Sequence, residues 1–301
     1  MIMDGYQKNR VYSLIVGDSK TTEAFEINND LQITFDISKS TDNKKKTNSA
    51  AIEIYNLNAD QIKLLDTDYP AAVLAVGYLD VGNIKRIFAG QVNHVSTRKQ
   101  GTDTVTQLQI GSGYTDLNHD VLNEIVPPGS TVKEVAEMLR KALPGVSRGV
   151  YNGTNLNNEI LYGYPLMGTP KEMLDQLGDK YGLDWQVDDD VLYVKNNDRA
   201  NNENFNEAYV ISAYTGLIGN AYRVSGNRKR SKKDKAKKPG IQMKILLNPD
   251  IVAGDIIRLE DTFITGWFRV DSLRHSGSWR GSNWYTEIKA SYLEKVDKDA
   301  S

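Results

Sequence analysis

The chain has 301 residues, 33.7 kDa, a formal net charge of −2, 40% hydrophobic and 25% charged residues, and no cysteine. That length allows two or three domains with cores of their own, and the lack of cysteine excludes disulfides, thiolate zinc sites, iron–sulfur clusters and cysteine nucleophiles. No apolar run approaches the about 20 residues of a membrane span, and the opening residues lack the apolar core of an export signal. The first 115 residues read as β-rich. Val11 to Val16 is apolar on both faces, whereas Leu31, Ile33, Phe35 and Ile37 alternate with polar residues and predict a strand with one buried face. Ser40 to Ser49 reads as a polar hairpin loop, followed by a strand over 51–56. Asn58 and Gln61 form a capping box that predicts a short helix over 59–65, and strands follow near 72–78, 86–95 and 104–110.

Residues 116–200 change period. Thr131 with Glu134 and Thr169 with Glu172 are two more capping boxes, the second with Pro170 at the first helical position. The first opens a helix with Val132, Val135, Met138, Leu139 and Leu143 on one face. The second carries Met173, Leu174, Leu177 and Tyr181 and closes at Gly182. Leu183–Val187 and Val191–Val194 then flank Asp188, Asp189 and Asp190 as a hairpin, making this region a small α+β insert. Residues 201–301 return to strands near 208–213, 217–224, 241–247, 255–259, 268–276 and 284–292. The fold class is therefore mainly β with an α+β insert: a β module over 1–115, the insert over 116–200, and a second β module over 201–301 with a basic loop at 227–239. The two β modules resemble each other. Ile87-Phe88-Ala89-Gly90 leads a strand, a polar turn and a strand ending at Ile110, and Phe263-Ile264-Thr265-Gly266 leads the same series as far as Ile288. Such a duplication predicts two barrel or sandwich units flanking the insert.

Catalytic signatures are missing: the chain has no Walker A loop, no H-E-x-x-H and no G-x-S-x-G, and its three histidines, 94, 119 and 275, are far apart. The plain reading of Asp188–Asp190 is a solvated hairpin tip, although three carboxylates also suit a divalent cation. Charge is uneven. Arg228, Lys229, Arg230, Lys232, Lys233, Lys235, Lys237 and Lys238, with Asp234, give +7 over 228–238 and leave −9 for the rest. The run is either a phosphate-binding element or a solvated loop. Trp267, Phe268, Trp279, Trp284, Tyr285 and Tyr292 crowd the C-terminal module. Core packing accounts for most of them, but Trp279 and Arg280 fall at a hairpin tip, so Trp267, Trp279, Arg280 and Trp284 are candidate interface residues.

Several segments resemble a known family. Phe35-Asp36-Ile37-Ser38-Lys39-Ser40, a polar gap and Ala51 to Leu57 with its Ile54-Tyr55-Asn56-Leu57 ending resemble the opening of bacteriophage baseplate hub proteins of the contractile-tail, Mu-type, late-control-D-like kind. Gly216-Leu217-Ile218-Gly219, Leu247-Asn248-Pro249, Gly254-Asp255, Phe268-Arg269-Val270, His275-Ser276-Gly277 and Trp284-Tyr285-Thr286 follow in the family's order. The resemblance implies a non-enzymatic virion protein without cofactor or metal, synthesised in the host cytoplasm and built into the tail baseplate. It implies a homotrimer of tube-like β modules, whose pseudo-six-fold ring joins a hexameric tail tube to a trimeric central spike. Further implied partners are the tape-measure protein C-terminus, neighbouring baseplate or wedge proteins, and DNA passing through the channel without specific binding. Two other classes stay open: a nucleic-acid-binding module using 228–238, and a hub-associated cell-wall hydrolase. A pyocin-like particle would use the same hub physics.

Overall fold

The computed structural model describes residues 9–18, 23–41, 48–66, 70–111, 121–143, 146–196, 208–224 and 239–293. The basic run 228–238 and His119 lie outside the described residues. The N-terminal module contains β1 (Arg10–Gly17), β2 (Ala24–Asn28), β3 (Ile33–Ser40), β4 (Ser49–Tyr55), β5 (Ala71–Tyr78), β6 (Lys85–Gln100) and β7 (Asp103–Gly111), with helix α1 (Ala59–Leu64) between β4 and β5. The insert contains β8 (Leu122–Val126), α2 (Val132–Lys141), β9 (Ser147–Asn152), β10 (Tyr164–Gly168), α3 (Pro170–Tyr181), β11 (Leu183–Asp188) and β12 (Val191–Asn196). The C-terminal module contains β13 (Tyr209–Ser212), β14 (Tyr222–Val224), β15 (Gly240–Leu246), β16 (Ile256–Glu260), β17 (Thr265–Ser278) and β18 (Trp284–Tyr292).

Local sequence chemistry sets these elements as expected. All three capping boxes form, at Asn58/Gln61, Thr131/Glu134 and Thr169/Glu172, and Gly182 caps α3 in the left-handed region at φ 66°. Period-two burial is strict in β3, where Ile33, Phe35, Ile37 and Lys39 all point inward. β2, β8, β9 and β10 form without a clear period in their sequence. The strand expected over 217–224 is broken: Leu217 makes a single bridge to Ile245 and only Tyr222–Val224 continues as a strand.

Three hydrophobic clusters form, one around the N-terminal strands, one in the insert and one around the C-terminal strands. The insert pairs β8 with β10 and places β12 between β11 and β9. The two β modules are not separate sheets. They form one 13-stranded sheet that runs β14-β15-β18-β17-β3-β4-β7-β6-β5-β1-β2, with β16 paired to β17 and β13 to β16. The path is open, and no closed barrel forms among the described residues. The chain is mainly β with a small α-containing insert.

The duplication is visible in the strand order. β3-β4-β7-β6-β5-β1 on one side matches β14-β15-β18-β17-β16-β13 on the other. The last pair departs from the match, since β1 is antiparallel to β5 whereas β13 is parallel to β16. Each long strand carries a bulge against its hairpin partner, at Asn93 between Val92 and His94 and at Asp271 between Val270 and Ser272. Aligning the bulges makes Gly90 equivalent to Phe268, and Ile110 to Ala290. The sequence match of Gly90 with Gly266 and Ile110 with Ile288 is thus two residues out of register.

Candidate functional site

The seam between the modules is the most elaborate part of the molecule. β17 lies against β3 from Ser272↔Ser40 to Ser278↔Thr34, so the C-terminal module edges directly onto the N-terminal one. Arg274 forms an ion pair with Asp36, with Nε 2.8 Å from Oδ1. The turn after β17 reaches further. Trp279 donates its backbone N–H to the Ile33 carbonyl at 2.9 Å and packs edge-on against Tyr12 at 5.3 Å. Trp284 is fully buried, edge-on to Phe35 at 5.2 Å and 6.5 Å from Trp279, and joins the N-terminal cluster. Arg280 donates its N–H to Gln32 Oε1 at 2.9 Å and its guanidinium to the Asp30 carbonyl at 3.3 Å. Arg10 returns the contact, donating to the Gly281 carbonyl at 2.7 Å and lying 5.6 Å over the Trp284 ring. Gly277 allows this packing, because a Cβ there would come within 2.2 Å of Phe35 Cζ. Three of the four candidate interface residues, Trp279, Arg280 and Trp284, therefore serve a contact within the chain. Trp267 stands apart, half-buried, with the Arg258 guanidinium 5.6 Å over its ring.

A second junction joins the insert to the N-terminal β module, and it corrects the reading of Asp188–Asp190 as a solvated tip. Lys39 is 4% exposed, and its ammonium lies 2.7 Å from Asp188 Oδ1 and 3.6 Å from Asp189 Oδ1. Asp189 also accepts from the Ala89 N–H at 2.8 Å and from Arg86 Nε at 3.2 Å. Asn48 donates to the Val187 carbonyl at 3.1 Å and to Asp188 at 3.3 Å. Asp189 and Asp190 have φ of 49° and 59°, as a two-residue type I′ hairpin turn requires. Aspartate tolerates that region and supplies a carboxylate there, which glycine would not. Burial pushes the Asp188 carboxyl upward, and the Lys39 ammonium opposes it. The sequence held a signal for this junction. Lys39 follows Ile33, Phe35 and Ile37 on the inward face of β3, and a buried lysine requires a carboxylate.

Beside it, His275 is buried, with Nδ1 2.9 Å from Thr286 Oγ1. Burial, with the Lys39 charge adding to it, pulls this imidazole down from 6.5 to about 3. The unfolded chain therefore takes up a proton below pH 6.5 that the folded chain refuses until about pH 3, so the folded state loses stability as pH falls through that window. Asp255, which burial pushes up to about 6, gains a proton on folding over part of the same range and offsets this loss. Comparison with His275→Gln cancels the Asp255 effect. The stability gap between wild type and that variant is expected to shrink by about 3 kcal/mol from pH 6.5 to 4 in urea titrations. A constant gap would contradict a neutral buried imidazole.

The family-like motifs sit at strand ends and turns. Ile54 and Leu57 are buried, Tyr55 is half-buried, and Asn56, at φ 60°, holds Thr104 N–H at 2.9 Å and Asp103 at 3.0 Å. Gly216 and Gly219 have φ of 107° and 68° and frame the bridge at Leu217, while Ile218 donates to the Lys244 carbonyl at 2.8 Å. Leu247 and Asn248 follow β15, where the Asn248 side chain accepts the Asp250 N–H at 2.9 Å around Pro249. Gly254, at φ 99°, donates to Val270, and Asp255 accepts the Val252 N–H at 2.9 Å. These motifs shape backbone. No group of three or more metal-ligating side chains occurs among the described residues, and no helix there is long and apolar enough to cross a membrane.

Solved structures share this architecture. The 43 kDa tail protein of prophage MuSo2 from Shewanella oneidensis superposes with a TM-score of 0.65, covering 95% of this chain and 99% of its own, at 11% identity. The fold is that of phage tail proteins. A tail protein from Neisseria meningitidis MC58 matches with a TM-score of 0.62, over 93% of this chain and 96% of its own, at 13% identity. An Escherichia coli component of the type VI secretion system, itself structurally similar to the T4 bacteriophage tail proteins gp27 and gp5, matches with a TM-score of 0.60, over 87% of this chain and 73% of its own, at 9% identity. At these identities the likeness is one of fold. No protein-family model and no curated protein sequence matches the chain.

Proposed function

We propose that this chain is a structural component of a phage tail, the baseplate hub, and that three copies close a pseudo-six-fold ring between the hexameric tail tube and a trimeric central spike. The observation that carries the reading is the duplicated strand order joined edge to edge by β17 and β3, because two like modules per chain turn a three-fold axis into six similar positions. The fold shared with tail proteins supports it. On this reading 1–115 and 201–301 are the ring modules and 116–200 is an insert pinned by the Lys39–Asp188 junction. The tube ring, the spike, the tape-measure C-terminus and neighbouring baseplate proteins are its partners. DNA passes through the lumen without specific binding, and the protein belongs to the virion. The function is mechanical and asks no covalent step of the chain. Negative-stain electron microscopy of the purified protein tests it: class averages are expected to show a torus with six lobes, and particles of one or two lobes would refute it.

A further inference from the structure

The duplication leaves two edges that match the two sides of the seam. In its second half, Ser272–Ser278, β17 has β18 on one side and β3 on the other. The equivalent half of β6, His94–Gln100, has β7 on one side, and no strand among the described residues pairs with its other side. The equivalent of β3 is β14, which has β15 on one side and, among the described residues, no strand on the other. Among the described residues the chain thus holds one complete junction and the two uncovered halves of a second. We propose that β6 of one copy pairs antiparallel with β14 of the next, in the register β17 and β3 use within the chain. The inference rests on the ring reading above and adds to it which strands meet and in what register.

The equivalence is defined residue by residue. Val92 with Ile110 matches Val270 with Ala290, the bulges follow at Asn93 and Asp271, and Val95 with Leu108 matches Leu273 with Ile288. The next pair repeats even in chemistry. Thr97 Oγ1 lies 3.1 Å from Thr106 Oγ1, and His275 Nδ1 lies 2.9 Å from Thr286 Oγ1, with Thr106 and Thr286 both fully buried. Through β4 and β15, Asp36, Ile37 and Ser38 correspond to Tyr222, Arg223 and Val224. The seam pairs Arg274↔Ser38, His275↔Ile37 and Ser276↔Asp36. The transferred register is therefore Ser96↔Val224, Thr97↔Arg223 and Arg98↔Tyr222 between copies.

Such a contact is head to tail, and a head-to-tail contact either closes into a ring or runs on as a filament. With three copies it yields six like junctions, three within chains and three between them, continuous with the seam already formed. It also removes an exposed edge, which sheet proteins otherwise protect. Arg98 and Lys99 are exposed on β6 and Tyr222 is 53% exposed on β14, as an uncovered pair of edges would be.

A cysteine-free chain makes the test clean. Backbone bonds from Thr41 to Asp271 and from Trp279 to Ile33 make Ser276↔Asp36 a non-hydrogen-bonded pair, whose Cα atoms approach to about 4.5 Å, within disulfide reach. Its equivalent is Arg98↔Tyr222. The double variant Arg98→Cys, Tyr222→Cys, treated with diamide, which accepts the two thiol electrons and protons, is expected to run as a covalent ladder up to three chains on non-reducing gels and to collapse to one with reductant. Arg98→Cys with Val224→Cys lies on a diagonal of about 7–8 Å and is expected to cross-link several-fold less. Each single variant is expected to remain uncross-linked. A native trimer without the ladder overturns this pairing and leaves the ring reading standing. A native monomer overturns the ring reading and the pairing with it. Dimers of Arg98→Cys alone would show a symmetric β6–β6 contact and overturn the pairing.

Discussion

Lys39→Met is expected to destabilise the protein by about 3–5 kcal/mol, because removing one partner of a buried ion pair strands the other charge. Lys39 and Asp188 are both shielded from solvent, and their contact is the shortest of the ionic contacts in the insert junction. Asp189 retains Arg86 and the Ala89 N–H in the variant, whereas among the described residues the side chain of Asp188 retains the Asn48 amide alone. The variant also acquires a pH dependence of known sign. Burial raises the Asp188 carboxyl, and without the ammonium nothing comparable opposes it. The penalty is absent where the carboxyl is protonated in both states, grows as pH rises above the ordinary 3.8 of the unfolded chain, and levels off once pH passes the raised folded value. Urea titrations at several pH values are expected to show the variant closest to wild type in acid. Lys39→Met combined with Asp188→Asn is expected to recover most of the loss, since both charges are then gone. If the double variant is no better than the single, the Lys39–Asp188 pair is not what holds the junction.

Trp284→Ala is expected to cost about 3–5 kcal/mol, the usual range for emptying a fully buried aromatic site. Its consequence is specific to position. Trp284 belongs to β18 of the C-terminal module but packs on Phe35 and Trp279 within the N-terminal cluster. The cavity therefore opens at the seam. Calorimetry is expected to show the two β modules melting in separate transitions in the variant. Trp185→Ala gives the contrast. Trp185 is buried in the insert and bonds Asp175 at 3.1 Å, so its loss leaves the seam intact. Separate melting in Trp185→Ala and not in Trp284→Ala would contradict the seam as the link between modules.

Much of the local structure was legible in the sequence because short-range chemistry determines it. The three capping boxes, the left-handed Gly182 and the alternation of Ile33, Phe35 and Ile37 each need only neighbours a few residues away. The sheet junction was not legible, since β17 and β3 are more than two hundred residues apart and each reads as an ordinary half-buried strand. For the same reason Trp279 and Trp284 read as candidate anchors for another protein when they anchor one half of the chain to the other. The duplication is legible in the sequence, but two residues out of register. A slip of two keeps every side chain on its own face, so hydrophobic pattern alone cannot detect it, and only the paired bulges fix it. Lys39 was readable in principle. Polar Ser38 and Ser40 flank it, and the Asp triplet that answers it lies some 150 residues away.

Native mass by light scattering across a wide concentration range tests the hub reading most directly. Three chains of 33.7 kDa give about 101 kDa, and the account predicts that mass for the assembled species, with the single chain giving way to it as concentration rises. A mass of 33.7 kDa at every concentration, or a stable dimer, would contradict it.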